Sequence, residues 1–259
     1  MNGVLNGVVG GLYALLDIGG CVPTTEALRF FDLLVEGGIQ TIQIRGKSLS
    51  DRDLLEISRA IIERRPAGVR VFVNDRADIA RVAGADGVHV GQGDISPTDL
   101  RSWCPSPFRI GLSCHTLEDA VRAHALNVAS NDHGSNVVDY IGFGPIFETS
   151  TKARPAPTVG LTMLREVVAR VHPLPVVAIG GITIERIPAV WATGAAAIAM
   201  ASGLTNTRDA NANAHADRDA DEEPDAEWAA ESARARIRRA AESLLCAQRA
   251  QTAHAVEPQ

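Results

Sequence analysis

The stretch VRVFVNDRADIARVAGADGVHVGQGD, residues 69–94, holds two short apolar runs, VRVFVN (69–74) and DGVHV (86–90), separated by a segment with helical spacing. Such alternation marks a βα unit feeding a parallel sheet. Each run ends in polar chemistry: Asn74 and Asp75 follow the first, and Asp94 follows the second. The same pattern recurs on both sides of this stretch. GLYALLD (11–17), IQTIQIR (39–45), FRIGLS (108–113), VVDYIGF (137–143), PVVAI (175–179) and AAIAM (196–200) read as further strands, making eight.

Eight βα units in a chain of 259 residues predict an α/β fold, a single (β/α)8 TIM barrel, over a doubly wound sheet. Seven helices follow their strands directly. TTEALRFFDLLVEG opens with Thr cap candidates, LSDRDLLEISRAIIERR with a Ser or Asp cap, and TLEDAVRAHAL with Thr116; TIERIPAVWATG carries Pro188 in its first turns, where proline is tolerated. The eighth helix is delayed. After strand eight comes TNTRDANANAHADRDADEEPD (205–225), a polar, low-complexity, acidic segment without large apolar residues, expected to be a disordered insertion between strand 8 and helix 8. Beyond it, 226–250 places Ala230, Ala233, Ile237, Ala241, Leu244 and Ala247 near one helical face, as expected of the helix that completes the barrel. The expected division is a barrel core at 1–204, the insertion at 205–225, the closing helix at 226–250 and a flexible tail at 251–259.

With 46% hydrophobic residues the chain can bury a sizeable core. Its formal charge of −6 gives no basic footprint for nucleic acid, and residues 205–259 alone carry seven Arg against eleven acidic residues, leaving the first 204 near −2. Cys21, Cys104, Cys114 and Cys246 show neither CxxC nor paired metal spacing, which fits a reducing cytoplasm better than a disulfide framework. The opening MNGVLNGVVGGLYALLD lacks a basic leader, and no run of ~18 apolar residues occurs. A cytoplasmic protein with neither membrane nor nucleic-acid partner is expected, and a homo-oligomer is compatible with the sequence.

In a barrel of this kind the chemistry sits at the C-terminal ends of the strands. Gln43, Arg45 and Lys47 in QIRGK share one side by period 2, giving an amide and two cations. Asp75 and Asp94 are helix-cap candidates individually, but together, opposite cations, they suit magnesium diphosphate, since hard carboxylate and phosphate oxygens are what Mg²⁺ prefers. Ser113 after strand five reads as a phosphate contact. Its neighbours Cys114 and His115 do not read as a nucleophile and base, because adjacent residues on a strand point to opposite faces. His89 reads as an inward core histidine with satisfied hydrogen bonds. DYIGFGPIFETSTKARP (139–155) leaves its strand abruptly at Gly144 and Pro145 and delivers hydroxyls and Lys152 to an anion. Gly180 and Gly181 end strand seven, and Ala201 and Ser202 end strand eight, the loops through which such barrels often hold a phosphate on backbone N–H groups.

These motifs resemble those of the thiamine-phosphate synthase (thiamine-phosphate pyrophosphorylase) family. QIRGK is similar to its QxRxK motif, the 71–94 stretch to its ND and HxGQxD blocks, GLSCHT to its GxSxHT block, and residues 139–161 to its GPxFxTxTK block. The resemblance implies a Mg²⁺-dependent transferase that joins hydroxymethylpyrimidine diphosphate to thiazole phosphate and releases diphosphate. It implies that Gln43 contacts the pyrimidine, and that Arg45, Lys47, Asn74, Ser113 and Lys152 hold the diphosphate, with Arg45, Lys47, Ser113 and Lys152 the catalytic set. Asp75 and Asp94 would hold the metal, and Thr149, Thr151, Gly181, Ala201 and Ser202 would lie at the thiazole phosphate. Gly46 replaces an acidic residue of the family pattern, and Cys114 stands where a small hydroxyl is common. The rival readings are the related thiazole tautomerase and a non-catalytic phosphate-binding barrel whose acidic segment recruits a partner.

Overall fold

A computed structural model of the chain describes residues 9–129, 136–149, 157–205 and 226–254. Eight parallel strands close into a barrel in chain order: β1 (Gly11–Asp17), β2 (Thr41–Arg45), β3 (Arg70–Asn74), β4 (Gly87–Val90), β5 (Arg109–Cys114), β6 (Tyr140–Phe143), β7 (Val176–Ile179) and β8 (Ala197–Met200). β8 pairs with β1, with Gly11 beside Ala197, so the described sheet has no free edge. The C-terminal strand ends agree with the sequence expectation to within one residue, the apolar runs stopping at a polar residue on β1, β2 and β3 and at glycine on β4, β6 and β7.

The outer layer is made of α1 (Ala27–Glu36), α2 (Asp51–Arg64), α3 (Ala77–Ala83), α4 (Pro97–Trp103), α5 (Leu117–Ala129), α6 (Gly160–Arg170), α7 (Ile187–Trp191), the short α8 (Ser202–Thr205) and α9 (Ala226–His254). Ser50 caps α2 by accepting the Asp53 N–H at 3.2 Å, and Thr116 caps α5 by accepting the Asp119 N–H at 3.1 Å, as their positions predict. The Thr cap expected for α1 is absent: residues 24–26 form a 3-10 turn that runs into α1 without a side-chain cap bond. Thr24 and Thr25 lie inside that turn and not ahead of it, which removes them from the capping position. Pro188 sits in the first turn of α7, as expected.

The delayed helix α9 packs against α1, α7 and β1. Its buried face is Ala230, Ala233, Ile237, Ala240, Leu244 and Ala247; Ala240 takes the place expected for Ala241, which is only partly covered. Gly37, at the end of α1, leaves the space that the Ile237 side chain fills. The expected disordered insertion lies outside the described residues except for Thr205, which ends α8.

Two apolar compartments result. One lies between strands and helices; the other fills the barrel itself and centres on Tyr13, Phe72, Tyr140, Val177, Ala197 and Ala199. The Tyr13, Phe72 and Tyr140 rings stand 5.5–6.0 Å apart between centroids, so aromatic side chains plug the interior. Gly111 on β5 makes room for Tyr140 and His89, since a Cβ there would collide with both rings.

The N-terminal end of the barrel is tied by two carboxylates, Asp139 buried and Asp86 half-buried. Asp139 (2% exposed side chain) accepts from the Ile110 N–H at 2.8 Å, from Arg101 at 2.6 Å and from Arg109 at 3.0 Å. Arg101 also donates to the carbonyls of Cys104 and Phe108. One strand pair earlier, Asp86 accepts from the Val71 N–H at 2.7 Å and pairs with Arg65. Asp139→Asn should leave Arg101 buried without a counter-charge and destabilise the protein by about 3 kcal/mol; urea denaturation with an unchanged midpoint would show that the clamp contributes nothing.

Candidate active site

A cavity of about 500 Å³ opens at the C-terminal end of the barrel, within the size range of small-molecule sites. It brings together Gln43, Arg45, Asn74, Ser113, Thr149, Gly181, Ala201 and Ser202, eight residues singled out in the sequence. Period 2 explains the walls: Tyr13, Leu15 and Asp17 alternate inward along β1, and Gln43 and Arg45 do so along β2.

Strand register then fixes the chemistry. Asp17 lies opposite Arg45, and the two side chains form an ion pair in which the carboxylate is only 5% exposed. Asp17 therefore holds the Arg45 guanidinium at the cavity wall. Sequence reasoning missed Asp17, although its place two residues beyond Leu15 on an inward-facing row, at a strand end, carried the signal. Tyr13 and Tyr140 were missed for a different reason: a strand tyrosine reads as core, and here it is core and cavity floor at once.

The floor is a continuous hydrogen-bonded row. The Gln43 amide donates to the Tyr13 hydroxyl at 2.8 Å, which lies 2.8 Å from the Tyr140 hydroxyl; Tyr140 is 3.1 Å from His89 Nδ1, and His89 Nε2 is 3.0 Å from Ser113 Oγ. One proton direction satisfies the row, each hydroxyl donating onward and His89 Nε2–H donating to Ser113. Burial is the main reason both phenols are pushed well above their ordinary value, so they stay protonated as donors. His89 is thus the hydrogen-bonded inward histidine expected, and it also lines the cavity.

Lys47, Asp75 and Asp94 are not among the residues that line the cavity; Asp75 follows Asn74 directly in the chain. Lys47 Nζ is 3.3 Å from Asp75. Asp75 has φ 64°, in the left-handed region, and a tight turn follows in which the Arg76 N–H donates to the Asn74 carbonyl at 2.7 Å. A non-glycine residue held there marks a local constraint that turns the carboxylate away from the strand direction. Burial, set against the attraction of Lys47 and reinforced by the neighbouring Asp94, raises the Asp75 carboxyl above its ordinary value. Neither carboxylate caps a helix: Arg76 holds the N-cap position of α3 without a side-chain cap bond, α4 is capped by Ser96, and Asp94 instead accepts the Gly91 N–H at 2.7 Å. Among the described residues no three His, Cys, Asp or Glu side chains converge on one point. Two adjacent hard-oxygen donors fit a magnesium ion that completes its shell with water and ligand phosphates, and do not make a full protein cage.

At the opposite side of the mouth, Gly180 (φ 101°) and Gly181 (φ 63°) turn the chain away from β7, and a Cβ on Gly181 would strike the backbone of Phe147 and Glu148. The β6 and β7 loops are thereby pressed together at the cavity mouth. Thr151 and Lys152 lie outside the described residues. Gly46 has a local explanation: a Cβ there would come within 2.7 Å of the Leu49 side chain, which packs into the space a larger residue would need.

Against this geometry the comparisons are consistent. A family model described as thiamine monophosphate synthase matches residues 12–204. The chain belongs to the thiamine monophosphate synthase family. It is 38% identical over 201 residues to a thiamine-phosphate synthase of Anaeromyxobacter dehalogenans, covering 78% of this chain and 83% of that protein. A thiamine-phosphate synthase of Methanocella arvoryzae is 42% identical over 176 residues, covering 68% and 78%. The solved thiamine phosphate pyrophosphorylase from Pyrococcus furiosus superposes with a TM-score of 0.71 at 26% identity, over 94% of this chain and 98% of that one.

Cys114 faces away from the cavity, buried, while His115 lines it and its Nδ1 lies 2.6 Å from the Gly144 carbonyl. Burial pushes the Cys114 thiol up to about 12, with Asp119 adding to the rise, which removes it as a nucleophile near neutrality. Iodoacetamide at pH 8 should label the exposed Cys246 in the native protein and spare Cys104 and Cys114. Peptide mass spectrometry showing native Cys114 alkylated as fast as Cys246 would contradict that placement.

Proposed function

We propose that this member of the family is a thiamine-phosphate synthase, a transferase of thiamine biosynthesis that condenses 4-amino-5-hydroxymethyl-2-methylpyrimidine diphosphate with thiazole phosphate, giving thiamine phosphate and diphosphate. One observation carries the reading: Gln43, Arg45, Asn74 and Ser113 share a single cavity with the glycine-turned backbone of Gly180 and Gly181, at the positions of the family's motifs, and the Lys47–Asp75 pair follows directly on the β2 and β3 ends of that wall. Four cysteines with no disulfide between them suit a reducing cytoplasm as its place of work.

In this reading Gln43 faces the pyrimidine, its amide fixed by Tyr13. Arg45, Lys47, Asn74, Ser113 and Lys152 hold the diphosphate, with Arg45 oriented by Asp17. Asp75 and Asp94 would hold Mg²⁺, which when bound supplies positive charge to the leaving diphosphate. The C–O bond to the diphosphate breaks with its electron pair leaving on oxygen, and the thiazole nitrogen lone pair forms the new C–N bond to the pyrimidine methylene. Arg45, Lys47, Ser113 and Lys152 meet the charge that develops on the diphosphate, where preorganised donors contribute most. Thr149, Thr151, Gly181, Ala201 and Ser202 seat the thiazole phosphate so that its nitrogen, and not water, is nearest the developing cation. No side-chain nucleophile is needed, consistent with a buried, protonated Cys114.

Diphosphate release that requires both substrates and Mg²⁺ is the expected result. Tight binding without turnover would favour the non-catalytic barrel, and isomerisation of the thiazole alone would favour the tautomerase. Lys152→Ala should lower turnover by about a hundredfold, equivalent to ~3 kcal/mol of transition-state stabilisation, with little change in thermal midpoint.

The metal assignment has its own test. Asp75→Asn and Asp94→Asn should each raise the magnesium concentration for half-maximal rate, and the double variant should lose less than the two single losses combined. Magnesium midpoints that stay fixed in both single variants would remove the carboxylates from the metal site.

A further inference from the structure

Residues beyond the family match reach the cavity. The match ends at residue 204, yet Arg236 and Arg239 of α9 line the same cavity as Gly181 and Ser202. Their spacing explains this. Arg236, Arg239 and Ser243 recur at i, i+3 and i+7, one flank of a helix whose neighbouring face, Ala233, Ile237 and Ala240, is buried. That flank faces the turn after β7: Ser243 Oγ donates to the Ile184 carbonyl at 3.2 Å, and Arg239 reaches Glu185 at 3.5 Å. A third guanidinium is fixed beside them, since Arg186 donates to the Gly181 carbonyl at 2.7 Å and lies 4.2 Å over the Phe147 ring.

Two carboxylates, Glu148 and Glu185, line this end as well, so among the described residues lining it three are arginines and two are acids. The Arg239–Glu185 pair is long and more than 60% exposed on both sides, the kind of pair that contributes little and exchanges readily for a better acceptor. Planar guanidinium donors match phosphate oxygens, and backbone N–H groups alone bring no net charge to a dianion.

We infer that α9 adds Arg236 and Arg239 to the β7–β8 end of the cavity as binding residues for a phosphate monoester, working with Arg186 above the glycine loop. This rests on the proposed function only for naming the monoester as that of the second substrate. The helix is then both part of the barrel's outer layer and one wall of its site.

The test compares the wild type with the double variant Arg236→Ala/Arg239→Ala and with a charge-matched control, Arg234→Ala/Arg238→Ala, whose residues are exposed and outside the cavity lining. Alanine preserves helix propensity, and a melting curve verifies folding. In the first double variant the KM for thiazole phosphate should rise at least tenfold, while the KM for the pyrimidine diphosphate stays within about twofold. Calorimetric binding of inorganic phosphate should weaken in parallel, and the control should behave as the wild type. An unchanged thiazole phosphate KM with unchanged phosphate binding, or an equal loss in the control, would overturn the inference. If the wild type does not turn over at all, the proposed function fails, and phosphate calorimetry on the three proteins still decides the role of α9.

Discussion

Two phenol hydroxyls buried inside a closed barrel must find partners among the few groups that can reach them, and that requirement organises the site. Tyr13 and Tyr140 satisfy each other at 2.8 Å, and the remaining capacity is met by Gln43 on one side and His89 with Ser113 on the other. Five strands, β1, β2, β4, β5 and β6, are joined by this row. The side chains that the proposed function places against pyrimidine and diphosphate, Gln43 and Ser113, are the row's two ends. Their orientation is therefore set by the packing of the barrel core and not by flexible loops.

The two ends of the barrel treat charge in opposite ways. At the N-terminal end Asp86 and Asp139 are saturated by arginines and by strand N–H groups, so their charge ties strands together. At the C-terminal end Asp75 is held at a positive φ against Asp94, with a largely exposed lysine as its neighbouring cation. A like-charge pair does not by itself stabilise a fold. In the proposed function a cation and an anionic ligand join it. Asp17 is intermediate: it is buried and paired, yet its partner Arg45 belongs to the cavity wall.

Much of this was legible in the sequence. Strand ends could be read because inward alternation stops there and polar residues begin, as at Arg45, Asn74 and Ser113. What the residues alone did not reveal was lateral: that Asp17 sits in register with Arg45, or that Tyr13 meets Tyr140 across 127 residues of chain. Those are consequences of closure, which no local window contains. The shift from Ala241 to Ala240 on α9 has a similar origin, since the buried face of a helix is chosen by the surface beneath it and alanine carries little preference of its own. The turn at 24–26 displaced the expected Thr cap because proline at 23 starts a 3-10 turn that already contains the threonines. Of the residues in the family motifs, Gln43, Arg45, Asn74, Ser113 and Thr149 line the cavity and Lys47, Asp75 and Asp94 do not, while Thr151, Lys152 and nearly all of the acidic segment fall outside the described residues.

The position of α9 also sets an order of events on the ribosome. The helix that covers Gly37 and pairs Arg234 with Glu36, 198 residues earlier, is the last of the described elements in chain order. Until it emerges, the first helix has its α9-facing surface bare, and the first strand waits for β8, whose paired residues come 186 positions later. Contacts of such separation form slowly, since the chain entropy of closing them is lost before they stabilise anything. Completion of this barrel therefore waits for α9: its first helix and strand are covered by segments that come much later in the chain.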